Sequence, residues 1–182
     1  MACTALTKGR GLDCNRISGG IKYVYFAVYD EVFSVTRASG EISDIEMTVG
    51  AETGELYRYT MPLGVASLTD TITGSRENGT IFYTPSVNII LNKLTKEDQN
   101  QIKLLGQTRV MVFAQLNQTL TNGHDVIVGL GTTNGMELNA GTADSGAAWG
   151  DRNGYTLTFD GLEPFPFPMV LDYSSSPFDN ID

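Results

Sequence analysis

The stretch TIFYTPSVNIILNKLTKEDQNQIKLLG, residues 80–106, decides the fold. In its first half Ile81, Tyr83, Val87, Ile89 and Leu91 take alternate positions, with Thr84, Ser86, Asn88 and Asn92 between them. A period of two predicts a half-buried strand, because successive side chains leave a strand on opposite faces. Pro85 cannot donate to a ladder and fits an edge or a bulge there. At Thr95 the pattern changes. Thr95 is an N-cap residue type, Asp98 stands three residues on as in a capping box, and Gly106 offers a left-handed close. The spacing predicts one short helix over about residues 96–105, with Ile102 and Leu105 toward a sheet and Lys96, Glu97, Asn100 and Lys103 in solvent.

Outward from this pair, strands continue on both sides. Residues 109–116 (RVMVFAQL) are apolar on both faces, as in a strand held between layers or at a subunit contact. Asn122-Gly123 signals a turn into a strand over 125–130, and 155–159 (YTLTF) alternate strictly after the turn Asp151-Arg152-Asn153-Gly154. Between them, 131–150 read as a Gly- and Ala-rich loop with a short strand near 136–138 and the only tryptophan, Trp149. Upstream, 21–29 (IKYVYFAVY) are dense in aromatic and β-branched residues and read as a strand inside a sheet. Residues 41–49 and 56–65 alternate in part around the glycines at 50 and 54, which predicts a long hairpin. That hairpin carries Asp44, Glu46, Glu52 and Glu55 against Arg58 alone.

The order gives a mainly β domain over residues 21–163, a β-sandwich or half-barrel with one flanking helix. An N-terminal arm covers 1–20 and a Pro-rich C-terminal arm 164–182, where Pro164, Pro166, Pro168 and Pro177 block regular structure. That end either docks on a neighbour or frays. Twenty glycines and an 18% charged fraction among 182 residues suit strands and turns better than a helical bundle. A net charge of −9 repels a phosphate backbone on average; it suits a channel through which DNA slides without sticking, and solubility alone explains it equally well. The opening residues hold no apolar leader segment and no stretch is long enough to span a membrane, so the chain is expected to be made in the cytosol, with Cys3 and Cys14 as free thiols. The sequons at Asn78 and Asn117 are discounted on the same ground.

Little catalytic chemistry is on offer. His124, the one histidine, sits in a turn beside Asp125, and Ser145 lacks the Gly-x-Ser-x-Gly frame of a nucleophile. Two cysteines eleven apart with one distant histidine match no zinc spacing. Asp151 and Asn153 before Gly154 are only a fragment of a calcium loop. Gly129, Gly131 and Gly135 follow a strand, but the third glycine is one residue late for a dinucleotide fingerprint and no helix begins there, so they read as a glycine turn. No enzyme activity, metal or cofactor is expected.

Four segments carry a resemblance: Leu12-Asp13-Cys14 with 19–26 (GGIKYVYF), then 76–83 (RENGTIFY), 91–97 (LNKLTKE) and 150–159 (GDRNGYTLTF). In this order the chain resembles the tail tube (major tail) proteins of tailed bacteriophages, most of all tail structural proteins of phages of Bacteroidetes-type hosts. The resemblance implies a structural virion protein of the tail, assembled in the host cytoplasm. It implies self-assembly into stacked, hexameric rings around a lumen that holds the tape-measure protein and then passes genomic DNA without sequence-specific binding. A sheath, terminator or baseplate protein would be a further partner, and a membrane would not. In that setting Asp44, Glu46, Glu52, Glu55 and Arg58 would stack on the next ring or line the channel, while Thr95, Asp98 and Gly106 only cap the helix. The alternatives are a terminator, neck or baseplate ring protein of the same virion, and a carbohydrate-binding β-sandwich that uses Trp149 and the tyrosines as a stacking platform.

Overall fold

The computed structural model describes residues 9–10, 18–32, 34–49, 52–120 and 123–170. Most of the N-terminal arm, both cysteines and residues 171–182 lie outside them. The strands in chain order are β1 (Ile21–Val28), β2 (Ser34–Ala38), β3 (Glu41–Glu46), β4 (Thr48–Val49), β5 (Glu52–Thr53), β6 (Tyr57–Thr60), β7 (Ser67–Ser75) and β8 (Thr80–Asn92). The helix α1 (Lys96–Leu105) follows, then β9 (Val110–Thr119), β10 (Asp125–Leu130), β11 (Glu137–Asp144) and β12 (Gly154–Asp160).

These strands form a β-sandwich with one helix. A central sheet runs β10-β9-β1-β6 and an outer sheet β11-β12-β8-β7, with β2–β3 and β4–β5 as two-stranded ribbons. Antiparallel registers Val24↔Ala114, Phe26↔Val112 and Val128↔Ala114 put even-numbered residues of the central sheet on one face, where they pack with Val87, Ile89, Leu157 and Phe159 of the outer sheet. The odd-numbered Tyr25, Ala27, Met111, Phe113 and Ile127 face the other way and pack under Ile42, Ile45 and Met47. β9 is thus buried on both faces, as its unbroken apolar run predicts.

Of the long hairpin expected from 41–65 only the short β4–β5 part forms. β3 pairs with the preceding β2, while β6 pairs with β1. The reason is a tight turn at Ser39-Gly40, whose φ values of 55° and 87° match the two positive-φ positions of the turn that best fits strand twist. The 131–150 region likewise holds more strand than expected, since β11 runs eight residues along β12. Pro85 lies within β8, an inner strand. Its carbonyl accepts from Gly161 N–H (3.2 Å), so its missing N–H faces the point just past the β12 ladder, which ends at Asp160↔Ser86.

The helix is as expected at its start: Thr95 Oγ1 accepts from Asp98 N–H (3.0 Å) and the two side chains hydrogen-bond at 2.6 Å. Its end differs. Gly106 has φ −73°, right-handed rather than left-handed, and donates to Ile102 O at 2.9 Å. Ile102 and Leu105 pack on the core.

Candidate assembly surfaces

The acidic group predicted to act together is divided among separate elements. Asp44 and Glu46 are exposed on β3, Glu55 is exposed in the link to β6, and Glu52 belongs to β5. Arg58 lies on β6 with its guanidinium over the Tyr23 ring at 5.4 Å. Thr48 pairs with Thr53 and Gly54 N–H donates to Met47 O (2.6 Å), so a short hairpin over residues 47–54 remains, carrying Glu52 and flanked by Glu46 and Glu55, while Asp44 and Arg58 lie off it.

Two other surfaces stand out. The first is the pair of outer-sheet edges. β11 and β7 end that sheet on opposite sides, are eight and nine residues long, and expose most of their side chains. Among the described residues, the backbone hydrogen bonds of both strands go only to β12 and β8. Such edges are templates for another strand. The second is the far end of the β7–β8 hairpin. β12 pairs with residues 86–92 of β8 and Glu163 with Tyr83, so beyond Tyr83 the hairpin runs on as a two-stranded ribbon. There Ile72 (64% exposed), Ile81 (60%) and Phe82 stay uncovered, although the alternation at Ile81 and Tyr83 predicts burial.

The C-terminal segment was expected to leave the domain at residue 164. Instead residues 163–170 strap it together. Glu163 pairs with Tyr83 through both backbone bonds, Gly129 N–H donates to Pro168 O, Val170 N–H to Ile127 O, and Ile42 N–H to Met169 O. The strap thereby closes the β10 edge and joins it to β3. Prolines suit it because it supplies few N–H groups.

Glu163 is the one buried charged side chain among the described residues. Its carboxylate accepts from Thr133 N–H (3.2 Å) and Asn134 N–H (2.8 Å). The glycine turn at 129–135 therefore turns its amides on the chain's own carboxylate, an internal version of an anion nest. Nearby, burial and the Glu163 charge push the Asp70 carboxyl up, against the lowering bond from Phe167 N–H, and its Oδ1 is enclosed without a partner. Asp125 is opposed by burial but held below the usual carboxylate range by hydrogen bonds from Lys22 (2.5 Å) and Gln115 (2.9 Å). Among the described residues no His, Cys, Asp and Glu group is placed to hold a metal ion, and no helix is long and apolar enough to cross a membrane.

Trp149 is fully exposed, in the loop between β11 and β12. That loop is held by Asp151, whose Oδ2 accepts from Ala148 N–H (2.7 Å) and Ala147 N–H (3.0 Å); these bonds also lower its carboxyl's pKa. No aromatic ring among the described residues contacts Trp149, so it stands apart from the described tyrosines. An apolar cavity of about 210 Å³ opens elsewhere, between α1 and β6.

The comparisons return no match. No family model fits the chain, and neither curated proteins nor solved structures resemble it closely enough to register. Sequence reasoning missed β7 and Glu163. The first is polar, SLTDTITGS, because an edge strand buries little; the second was hidden among prolines.

Proposed function

We propose that this chain is a structural subunit that assembles with copies of itself, the tail tube protein of a tailed bacteriophage. The observation that carries the reading is the outer sheet with two long edges on opposite sides that no described residue covers. Joining β7 of one copy to β11 of the next is a head-to-tail contact, and such a contact closes into a ring when the rotation per subunit divides a full turn. Closure removes both edges from solvent, which a lone copy leaves open.

Three further features support it. The projecting β7–β8 ribbon and the fixed Trp149 loop place apolar groups outside the domain, as an interface needs. The net charge of −9 fits a conduit for DNA that does not bind it. The strap at 163–170 covers the β10 edge of the central sheet, which leaves the outer sheet as the one with two long open edges among the described residues.

Lysine on an edge strand is a strong block to strand addition. Thr71→Lys on β7 and Thr142→Lys on β11, both exposed positions, are expected to leave a folded monomer by light scattering at concentrations where the unaltered chain assembles. Assembly of both variants like the parent chain would refute the edge joint. Single rings that never grow into tubes would move the assignment to a terminator, neck or baseplate ring of the same virion.

A further inference from the structure

The exposed Trp149 and the cavity beside α1 lie at opposite ends of the molecule. Trp149 follows the end of β11, in the loop that leads into β12. The cavity is walled by Phe26, Val28, Tyr57, Tyr59, Leu104 and Leu105, from the last turn of α1, the end of β1 and β6. Val110, the first residue of β9, also lines it. Val110 pairs with Met136, and Arg109 meets Glu137 at 3.6 Å, so the cavity sits at the level where β11 starts. One full strand length separates the two features, and Trp149 cannot reach the cavity of its own chain.

Each is incomplete alone. Trp149 has a relative exposure of 107% although hydrogen bonds from Gly146 N–H to Asp144 Oδ1 (2.9 Å) and from Asp151 N–H to Ala148 O (3.0 Å) hold its loop in one shape. A tryptophan fixed in water has the character of an interface anchor, since such residues dominate binding energy once buried in a partner's pocket. The cavity, at about 210 Å³, falls below the ~300–1,000 Å³ of small-molecule sites and suits a single large side chain. Its mouth exposes Tyr57 (49%) and Leu104 (55%), apolar surface with no described residue over it. Charges match at the rim: exposed Asp144 and Asp151 flank the tryptophan and exposed Lys103 adjoins Leu104, while Asp98 acts on Tyr59 of the cavity wall.

We infer that Trp149 of one copy inserts into the α1–β6 cavity of a second copy stacked along the strand direction. This contact rests on the self-assembly reading and adds to it. The β7–β11 joint runs sideways and closes a ring, whereas the tryptophan joint runs end to end and stacks one ring on the next. Because knob and hole occur on every copy at opposite ends, the contact repeats without limit.

The test uses the full chain, Trp149→Ala and Leu104→Glu, followed by electron microscopy and light scattering. Both substitutions fall on exposed positions, so each variant should keep the parent's circular dichroism spectrum. The parent chain is expected to form tubes, and each variant is expected to stop at single rings. Loss of an anchor residue should raise the concentration needed for stacking at least about thirty-fold. Mixing preformed rings of the two variants should then give paired rings and nothing longer, since one supplies intact tryptophans and the other intact cavities. The single tryptophan is its own probe: its emission should shift to the blue when the parent stacks and stay unshifted in Leu104→Glu rings. Tubes from either variant at the parent's concentration, or no pairing on mixing, would overturn the inference while leaving self-assembly standing. A parent chain that forms rings but never stacks would overturn it equally, and a parent that stays monomeric would remove the assembly reading too.

Discussion

Phe159→Ala is the sharpest probe of how the two sheets are held together. Phe159 is fully buried at the end of β12, with its ring 4.9 Å from Phe26 of the central sheet, and Phe26 meets Tyr59 edge-on at 5.1 Å. Truncating a core phenylalanine costs about 3–5 kcal/mol in lost transfer energy and residual cavity. An aromatic pair contributes about 0.5–1.5 kcal/mol beyond area, which places this site in the upper half of that range, at about 4–5 kcal/mol. A domain of this size has about 5–15 kcal/mol in total, so the variant should lose between about a third and nearly all of its stability. Urea denaturation read by circular dichroism, below the concentration of assembly, measures the loss. Phe165→Ala is the control. Phe165 is exposed and has only the Arg37 guanidinium over its ring at 5.8 Å, so its loss should cost less than about 1 kcal/mol. If Phe159→Ala cost less than about 2 kcal/mol, or no more than Phe165→Ala, the two sheets would not be packed through this contact.

Two glycines should respond in opposite directions to alanine. Gly106 is right-handed with the nearest atom to a new Cβ 3.4 Å away, so Gly106→Ala should stabilise by about 0.4–1 kcal/mol in thermal melts; destabilisation would restore the left-handed cap expected from sequence. At Gly154 a Cβ would fall 2.0 Å from the Leu91 carbonyl oxygen, so Gly154→Ala should force β12 off β8 and lower the melting temperature sharply. Thr95→Ala removes the acceptor of Asp98 N–H and should cost about 1 kcal/mol by urea denaturation. The raised carboxyl of Asp70 penalises the fold above its folded pKa and not below its unfolded one, so Asp70→Asn should raise the melting temperature at pH 7 and leave it unchanged at acid pH. Asp125 has the opposite sign: its lowered pKa stabilises the fold above the unfolded value, and that stability drains away as pH falls through the folded one, so Asp125→Asn should flatten the acid limb of the stability profile.

The parts of the fold that follow from local chemistry were readable in the chain. Alternation over Val87, Ile89 and Leu91, the Thr95–Asp98 cap, and the unbroken apolar run of β9 each mark their element, because propensity and burial point the same way there. Pairing was less legible. Alternation at 41–46 and 57–60 marks strands correctly, yet it does not say which strand each lies beside, and the Ser39-Gly40 turn sent β3 back to β2. The acidic residues therefore stay together only where β4 folds back on β5, between Glu46 and Glu55. β7 and most of β11 gave a weak signal for the reason that makes them interesting: uncovered edge strands bury few side chains and so need no apolar alternation. The strap at 163–170 was unreadable because its contacts with Tyr83, Ile127, Gly129 and Ile42 are all distant in sequence.

Negative-stain electron microscopy of the purified full chain at rising concentration, with light scattering alongside, tests self-assembly most directly. Rings with a central hole that stack into tubes are the predicted result; a monodisperse monomer at every concentration would contradict it.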